Sequence, residues 1–105
     1  MIRVRLTRSR GFSISGHAAQ NSCDEEGKLV CAAVSSAVYL VANTLTDVLK
    51  LNACVHVNKD QMSVRVNRVD AKKPACAGLL QGLRIHLCGL RQQYPKRIEI
   101  KMMKR

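Results

Sequence analysis

The chain has 105 residues, a length that suits one domain with one modest core. Apolar residues make up 47%, too many for a disordered chain, and one Phe, two Tyr and no Trp argue against a stacking platform for single-stranded nucleic acid. Eighteen Lys and Arg against seven Asp and Glu leave a formal charge of +11, which favours polyanionic partners such as RNA, DNA or a ribosomal surface but sets no reaction.

In chain order, IRVRLTR alternates Ile2, Val4 and Leu6 with Arg3, Arg5 and Thr7, the period of a half-buried strand. Gly11 marks a turn, and FSISG alternates again with Phe12 and Ile14 on one face, which predicts a hairpin. The stretch from Ala18 to Lys28 is polar, acidic and without period, and is expected to be a loop. A helix is predicted from near Leu29 to near Lys50, with Val30, Val34, Ala37, Val38, Val41, Leu45 and Val48 on one stripe.

ACVHVNKDQMSVRVN predicts a second hairpin that turns around Lys59 and Asp60. Val55 and Val57 are expected to face the core on one strand, and Met62, Val64 and Val66 on the other. DAKKP breaks the chain, and Pro74 suits the first turn of a second helix. Leu79, Leu83, Leu87 and Leu90 follow at helical spacing, with Cys76 and Leu80 beside them. Gly78, Gly82 and Gly89 weaken that helix by ~1 kcal/mol each relative to Ala and are expected to permit close packing. Pro95 ends it, and KRIEIKMMK closes as a strand with Ile98, Ile100 and Met102 inward.

The order is strand-strand-helix-strand-strand-helix-strand, each strand having one apolar and one polar face. The expected fold is therefore an α+β two-layer sandwich, a single domain over residues 1–105. Its largely antiparallel five-strand sheet has two helices on one face. The open face would carry Arg3, Arg5, His56, Arg65, Arg97 and Lys101. The stretch from Leu29 to Leu49 is interrupted by polar residues and is a poor membrane span, and no signal peptide is visible. No membrane partner is expected, and a cytoplasmic setting is the default.

The cysteines are Cys23, Cys31, Cys54, Cys76 and Cys88; an odd number cannot all pair within one chain, and without a CxxC no structural zinc site is expected. Cys31 is placed in the first turn of the first helix, where unpaired backbone N–H groups stabilise anions, a nucleophilic thiolate included. The plainer reading is a small apolar residue opening a buried helix. His17 ends the second strand, fourteen residues before Cys31, and the intervening loop can bring imidazole and thiol together. Alone, His17 reads more readily as a capping or solvated residue. Ser35 lies four residues after Cys31 and shares its helix face.

Asp24, Glu25 and Glu26 form an acidic cluster that favours the helix macrodipole or docks a basic peptide, and Gly27 can let the loop move as a lid. Cys23 offers a redox alternative, a disulfide with Cys31. His56 and His86 have no acid or thiol at helpful spacing, and Cys54 and Cys88 read as ordinary positions. The alternation of the second strand raises a difficulty: it groups His17 with Ser13 and Ser15, away from the helices, so the chain must leave the sheet by about Gly16.

GHA ending a strand, followed by VCAAVS opening a helix, resembles the ribosomal-processing cysteine proteases. The similarity extends along the whole strand and helix order. The resemblance implies a cytoplasmic homodimer that trims a short N-terminal extension from ribosomal protein twenty-seven of the large subunit, with no metal or organic cofactor; the basic charge suits an enzyme working beside the ribosome or its RNA. The resemblance makes His17 the general base, Cys31 the nucleophile and Ser35 an assisting residue. This chain departs from the family in carrying Lys28 where an aspartate usually stands, three residues before the cysteine, and in a histidine–cysteine separation two residues longer. A non-enzymatic RNA- or ribosome-binding module is the alternative, and a thiol redox sensor a third reading.

Overall fold

The computed structural model describes residues 1–7 and 10–103; Arg8 and Lys104, which the expected first and last strands reached, lie outside the described residues. Strands β1 (Ile2–Thr7) and β2 (Gly11–Ser15) form the first hairpin, with Val4 opposite Ile14 and Leu6 opposite Phe12. Helix α1 spans Glu25–Asn43 and continues into a π turn over Thr44–Val48. Strands β3 (Ala53–Val57) and β4 (Gln61–Val66) form the second hairpin. A short helix α2 (Arg68–Ala71), a long helix α3 (Pro74–Gln93) and strand β5 (Ile98–Met103) complete the chain.

The sheet runs β3-β4-β2-β1-β5, with antiparallel joins except between β1 and β5, which are parallel. Ile2, Val4, Leu6, Phe12, Met62, Val64, Val66 and Ile98 make its apolar face. α1 lays Val30, Val34, Val38 and Val41 on that face, and α3 adds Cys76, Leu83 and Leu87. This is the expected α+β sandwich with its two main helices on one side. The segment Glu25–Val48 is long and apolar enough to cross a membrane by composition, but its buried stripe is packed on the sheet.

Several local expectations are corrected. α1 starts at Glu25, not near Leu29, because Asp24 caps it: Asp24 Oδ1 accepts from the Gly27 N–H at 3.0 Å, and Glu25 and Glu26 fill the first turn. The π turn winds wider than an α turn, so Val48 leaves the stripe and stands 71% exposed. Lys50 then adopts a left-handed φ of 53° and ends the segment. The break at DAKKP contains α2, capped by Asn67, whose Oδ1 accepts from the Asp70 N–H at 2.8 Å. Gly78, Gly82 and Gly89 do not serve close packing, since a Cβ at any of them meets open space.

The second hairpin departs furthest. Met62, Val64 and Val66 are buried as expected, but Val55 and Val57 are 37% and 53% exposed. β3 is the edge strand, and the helices do not cover it. Met102, on the opposite edge, is likewise 49% exposed. Arg97 does not join the open face: it lies just before β5 and is drawn back to the start of α1.

Candidate active site

The chain leaves the sheet at Gly16, where the alternation of β2 required it to. β2 stops at Ser15, and Gly16 takes φ +83°, a conformation that side chains rarely adopt. A Cβ there would also run into the Met1 carbonyl oxygen. The reversal turns the backbone under α1, so that the Ala18 N–H donates to Cys31 Sγ at 3.1 Å. The residue following His17 thus touches the sulfur directly.

The imidazole itself lies elsewhere. His17 Nε2 is 3.2 Å from Asp60 Oδ1, at the turn of the second hairpin, and both side chains are exposed. A carboxylate only accepts hydrogen bonds, so this contact places a proton on Nε2 and leaves Nδ1 as the basic ring nitrogen. The Asp60 carbonyl also accepts from the Gly16 N–H at 3.3 Å, which ties the hairpin tip to the corner that carries His17. Asp60 escaped the sequence reading because its proximity to His17 depends on β4 pairing with β2, a long-range choice.

Cys31 is half-buried, and Ser35, one helical turn further on, is exposed. A cleft of about 170 Å³ is lined by Cys31, His17, Ser35 and Asp60, with Tyr39 and Val57 among its walls. The structure therefore gathers the three predicted residues into one cleft, with the imidazole held by Asp60. Cys31 is the seventh residue of α1, so it is not in the first turn. The N–H groups at the helix start are engaged: Glu25 donates to the Cys23 carbonyl, Gly27 to Asp24 Oδ1 and Lys28 to the Asp24 carbonyl. The main-chain donor at the sulfur comes from the loop instead.

That loop is clamped. Arg97 grips Asp24 with two bonds, Nη1 to Oδ2 at 2.7 Å and Nη2 to Oδ1 at 3.0 Å. Its Nε donates to Glu26 Oε1 at 2.9 Å, and Nη1 also donates to the Ala18 carbonyl at 2.8 Å. Asp24 Oδ2 further accepts from the Gln20 N–H at 3.0 Å. The bonds from Arg97, Gln20 and Gly27 hold the Asp24 carboxyl down at about 2, and the two carboxylates raise the Arg97 pKa. Asp24 and Glu26 are thus bound internally, while Glu25, among the described residues, pairs with Lys28 at 3.6 Å. Gly27 lies inside the first turn of α1, where a Cβ would strike Ala19; it serves close approach of the loop and is no hinge.

All five cysteines are free thiols. Cys54 and His56 correct the sequence reading, since Cys54 Sγ and His56 Nε2 are 3.3 Å apart on the open face. Positions two apart on a strand share a face, a signal the sequence already held. No group of three His, Cys, Asp or Glu side chains among the described residues is arranged to hold a metal ion.

A thiol and a histidine in one cleft, with a main-chain donor on the sulfur, suit acyl transfer through sulfur, and the class such a cleft fits is the cysteine hydrolases. The family model described as cysteine protease Prp matches residues 1–99, and the chain belongs to that family. The same fold occurs in SMU.848 from Streptococcus mutans, at 18% identity and a TM-score of 0.83, over 100% of this chain and 96% of that one. It occurs also in the essential ribosomal processing protease Prp from S. aureus, solved with a covalently linked product peptide (18% identity, TM-score 0.83). The same S. aureus protease with a substrate peptide gives 16% identity and a TM-score of 0.84. Both S. aureus matches cover 98% of this chain and 100% of theirs. No curated protein matches this chain in sequence. The protein is a cysteine protease; a non-enzymatic module is set aside.

Proposed function

We propose that this cysteine protease removes a short N-terminal extension from a large-subunit ribosomal protein, ribosomal protein twenty-seven, with Cys31 as nucleophile and His17 as general base. The observation that carries the reading is the Ala18 N–H bond to Cys31 Sγ, which puts the His17 corner against the sulfur within a cleft that also holds Ser35. The S. aureus relative is a ribosomal processing protease that has been captured with a covalently linked product peptide, which supports both the substrate class and a covalent step.

In this mechanism the His17 ring turns Nδ1 towards the thiol while Nε2 stays on Asp60, and takes the thiol proton. Its exposure leaves the ring free to turn. Sγ attacks the scissile carbonyl carbon and forms a tetrahedral oxyanion. The Ala18 N–H, released from the sulfur, donates to that oxyanion; such a donor is typically worth ~3 kcal/mol of barrier. The C–N bond breaks, His17 protonates the departing amine, and a thioester remains on Cys31. Water then attacks the thioester, His17 accepts its proton, and acid and thiol are released. Asp60 keeps the proton on Nε2 and so preserves Nδ1 as the base, the role a carboxylate or amide plays behind a catalytic histidine. Ser35 offers a hydroxyl to the bound peptide. Asp24 and Glu26, held by Arg97, fix the loop that carries Ala18, and Glu25 is the cluster's freest carboxylate for a basic substrate.

The protease acts in the cytoplasm as a homodimer. Exposed Val55 and Val57 on the edge strand β3, with exposed Tyr39 of α1 at the cleft that Val57 lines, give an apolar margin that suits a second copy. The test of the catalytic reading is incubation of the ribosomal precursor with the wild type and with Cys31→Ala, followed by intact mass. The wild type is expected to release the extension and Cys31→Ala to release none. Equal processing by Cys31→Ala overturns the mechanism, and an untouched precursor with the wild type overturns the substrate.

A further inference from the structure

The sheet face turned away from the helices meets the cleft at Ser15 and Gln61, at the end of β2 and the start of β4, and its remaining residues lie outside it. Its register sets one side chain from each strand in a row: Lys101, Arg5, Ser13, Ser63 and His56. At ~4.8 Å per strand the row spans ~19 Å. Arg3 lies on one side of it and Arg65 on the other. Arg10 and Arg68 crowd Arg65 at the β2–β4 end, and the pKa of Arg10 is lowered by burial and by those two neighbouring charges.

The acids are elsewhere. Among the described residues Asp24, Glu25, Glu26, Asp60 and Asp70 are all engaged in ion pairs away from this face, and none of those pairs uses Arg3, Arg5, Arg65 or Lys101. Glu99, opposite Arg3, is the acid that β5 places on this side. A positive field results over an open concavity of about 440 Å³ lined by Arg5, Arg65, His56, Ser13 and Ser63, with the serine hydroxyls between the cations.

We propose that this open face docks the phosphate backbone of structured RNA. The charge is complementary to phosphate, and the row holds no Phe, Tyr or Trp and a single imidazole, His56, so recognition runs mainly through backbone and shape. Duplex RNA exposes 2′-hydroxyls in a wide, shallow minor groove, which a low surface bearing Ser13 and Ser63 can meet. The cleft opens on the helix side, through residues of α1, so RNA on the open face leaves it accessible. The inference goes beyond the proteolytic reading: the enzyme would hold RNA with one face and a peptide at another.

The test is fluorescence anisotropy with a labelled RNA hairpin over a salt series. The expected logarithmic salt slope is about −0.9 per phosphate contacted. Arg5→Gln/Arg65→Gln/Lys101→Gln is expected to flatten that slope by about three units and to weaken binding on the order of a hundredfold. Arg84→Gln/Arg91→Gln/Lys96→Gln removes the same charge from α3 and the turn after it, and is expected to leave the slope near that of the wild type. Equal effects of the two triple variants, tighter binding of a DNA duplex of the same sequence, or tighter binding of polyglutamate each overturn the proposal. Binding is read without cleavage, so failure here leaves the substrate assignment standing, and failure there leaves this standing.

Discussion

Strands β1 and β3 have the same kind of sequence and opposite fates. IRVRLT and ACVHV both alternate, and the register points Val4 and Leu6, like Val55 and Val57, to the helix side of the sheet. Val4 and Leu6 are 1% and 4% exposed, while Val55 and Val57 remain largely in solvent. β1 lies between two strands and under the helices; β3 has one neighbour and no cover. Alternation reports which side a residue faces. It does not report whether anything is packed there, because that depends on strand order and on where the helices cross.

The comparison predicts its largest effect in the middle of the sheet. Leu6→Ala empties a buried site and is expected to destabilise the protein by about 2–5 kcal/mol. Val57→Ala at the edge is expected to stay within about 0.5 kcal/mol in the monomer. Urea unfolding followed by circular dichroism measures both, and the midpoint should move for Leu6→Ala with little change in slope. Equal losses at the two positions would mean that β3 is covered in solution.

The next effect concerns the loop between β2 and α1. Asp24 has its pKa depressed to about 2 mainly by the Arg97 hydrogen bonds, so it is a group whose folded-state value lies below its unfolded one. The stability it contributes is present above the unfolded carboxylate value of ~3.9 and is lost as pH falls through about 2. Arg97→Met removes the principal cause. The wild type should lose stability between about pH 4 and pH 2 more steeply than the variant does, with the loop loosened at neutral pH. Identical acid profiles for the two proteins would show that the clamp does not hold the loop.

Asp60 should give a smaller, purely kinetic effect. Its hydrogen bond to His17 is exposed, and a bond of this kind is worth ~1 kcal/mol, so Asp60→Ala is expected to lower kcat about fivefold with KM little changed. Asp60→Asn keeps an acceptor oxygen and should recover much of that loss. A change confined to KM, or no rescue by Asn, would remove Asp60 from behind the histidine.

What the sequence held and what it withheld divide along the same line. The alternating strands, the Pro74 start of α3 and the grouping of His17, Cys31 and Ser35 were legible because each rests on local spacing or a short motif. The start of α1 was also legible in principle: Asp24, Glu25 and Glu26 are the acidic opening of a capped helix, though they read as a loop because Gly27 and Lys28 interrupt the apolar period. Arg97 and Asp60 were not legible. Arg97 reaches Asp24 across 73 residues and Asp60 reaches His17 across 43, and only the sheet order brings those pairs together. The difference between β1 and β3 belongs with these.

The smallest expected effect on the isolated chain is at that edge, and it tests the proposed dimer. Val57→Lys places a charge on an already exposed strand, so the monomer should keep its stability within about 0.5 kcal/mol. If a second copy covers β3, the wild-type Tm must rise with protein concentration, because association stabilises the folded state by mass action. Val57→Lys should abolish that dependence and shift sedimentation to the monomer. Val57 also lines the cleft with His17 and Cys31, so dimer loss should reach activity as well. Arg91→Gln, distant on α3, should change neither. A wild-type Tm that is independent of concentration would leave β3 bare, and the contrast with β1 would then stand as it is in the single chain.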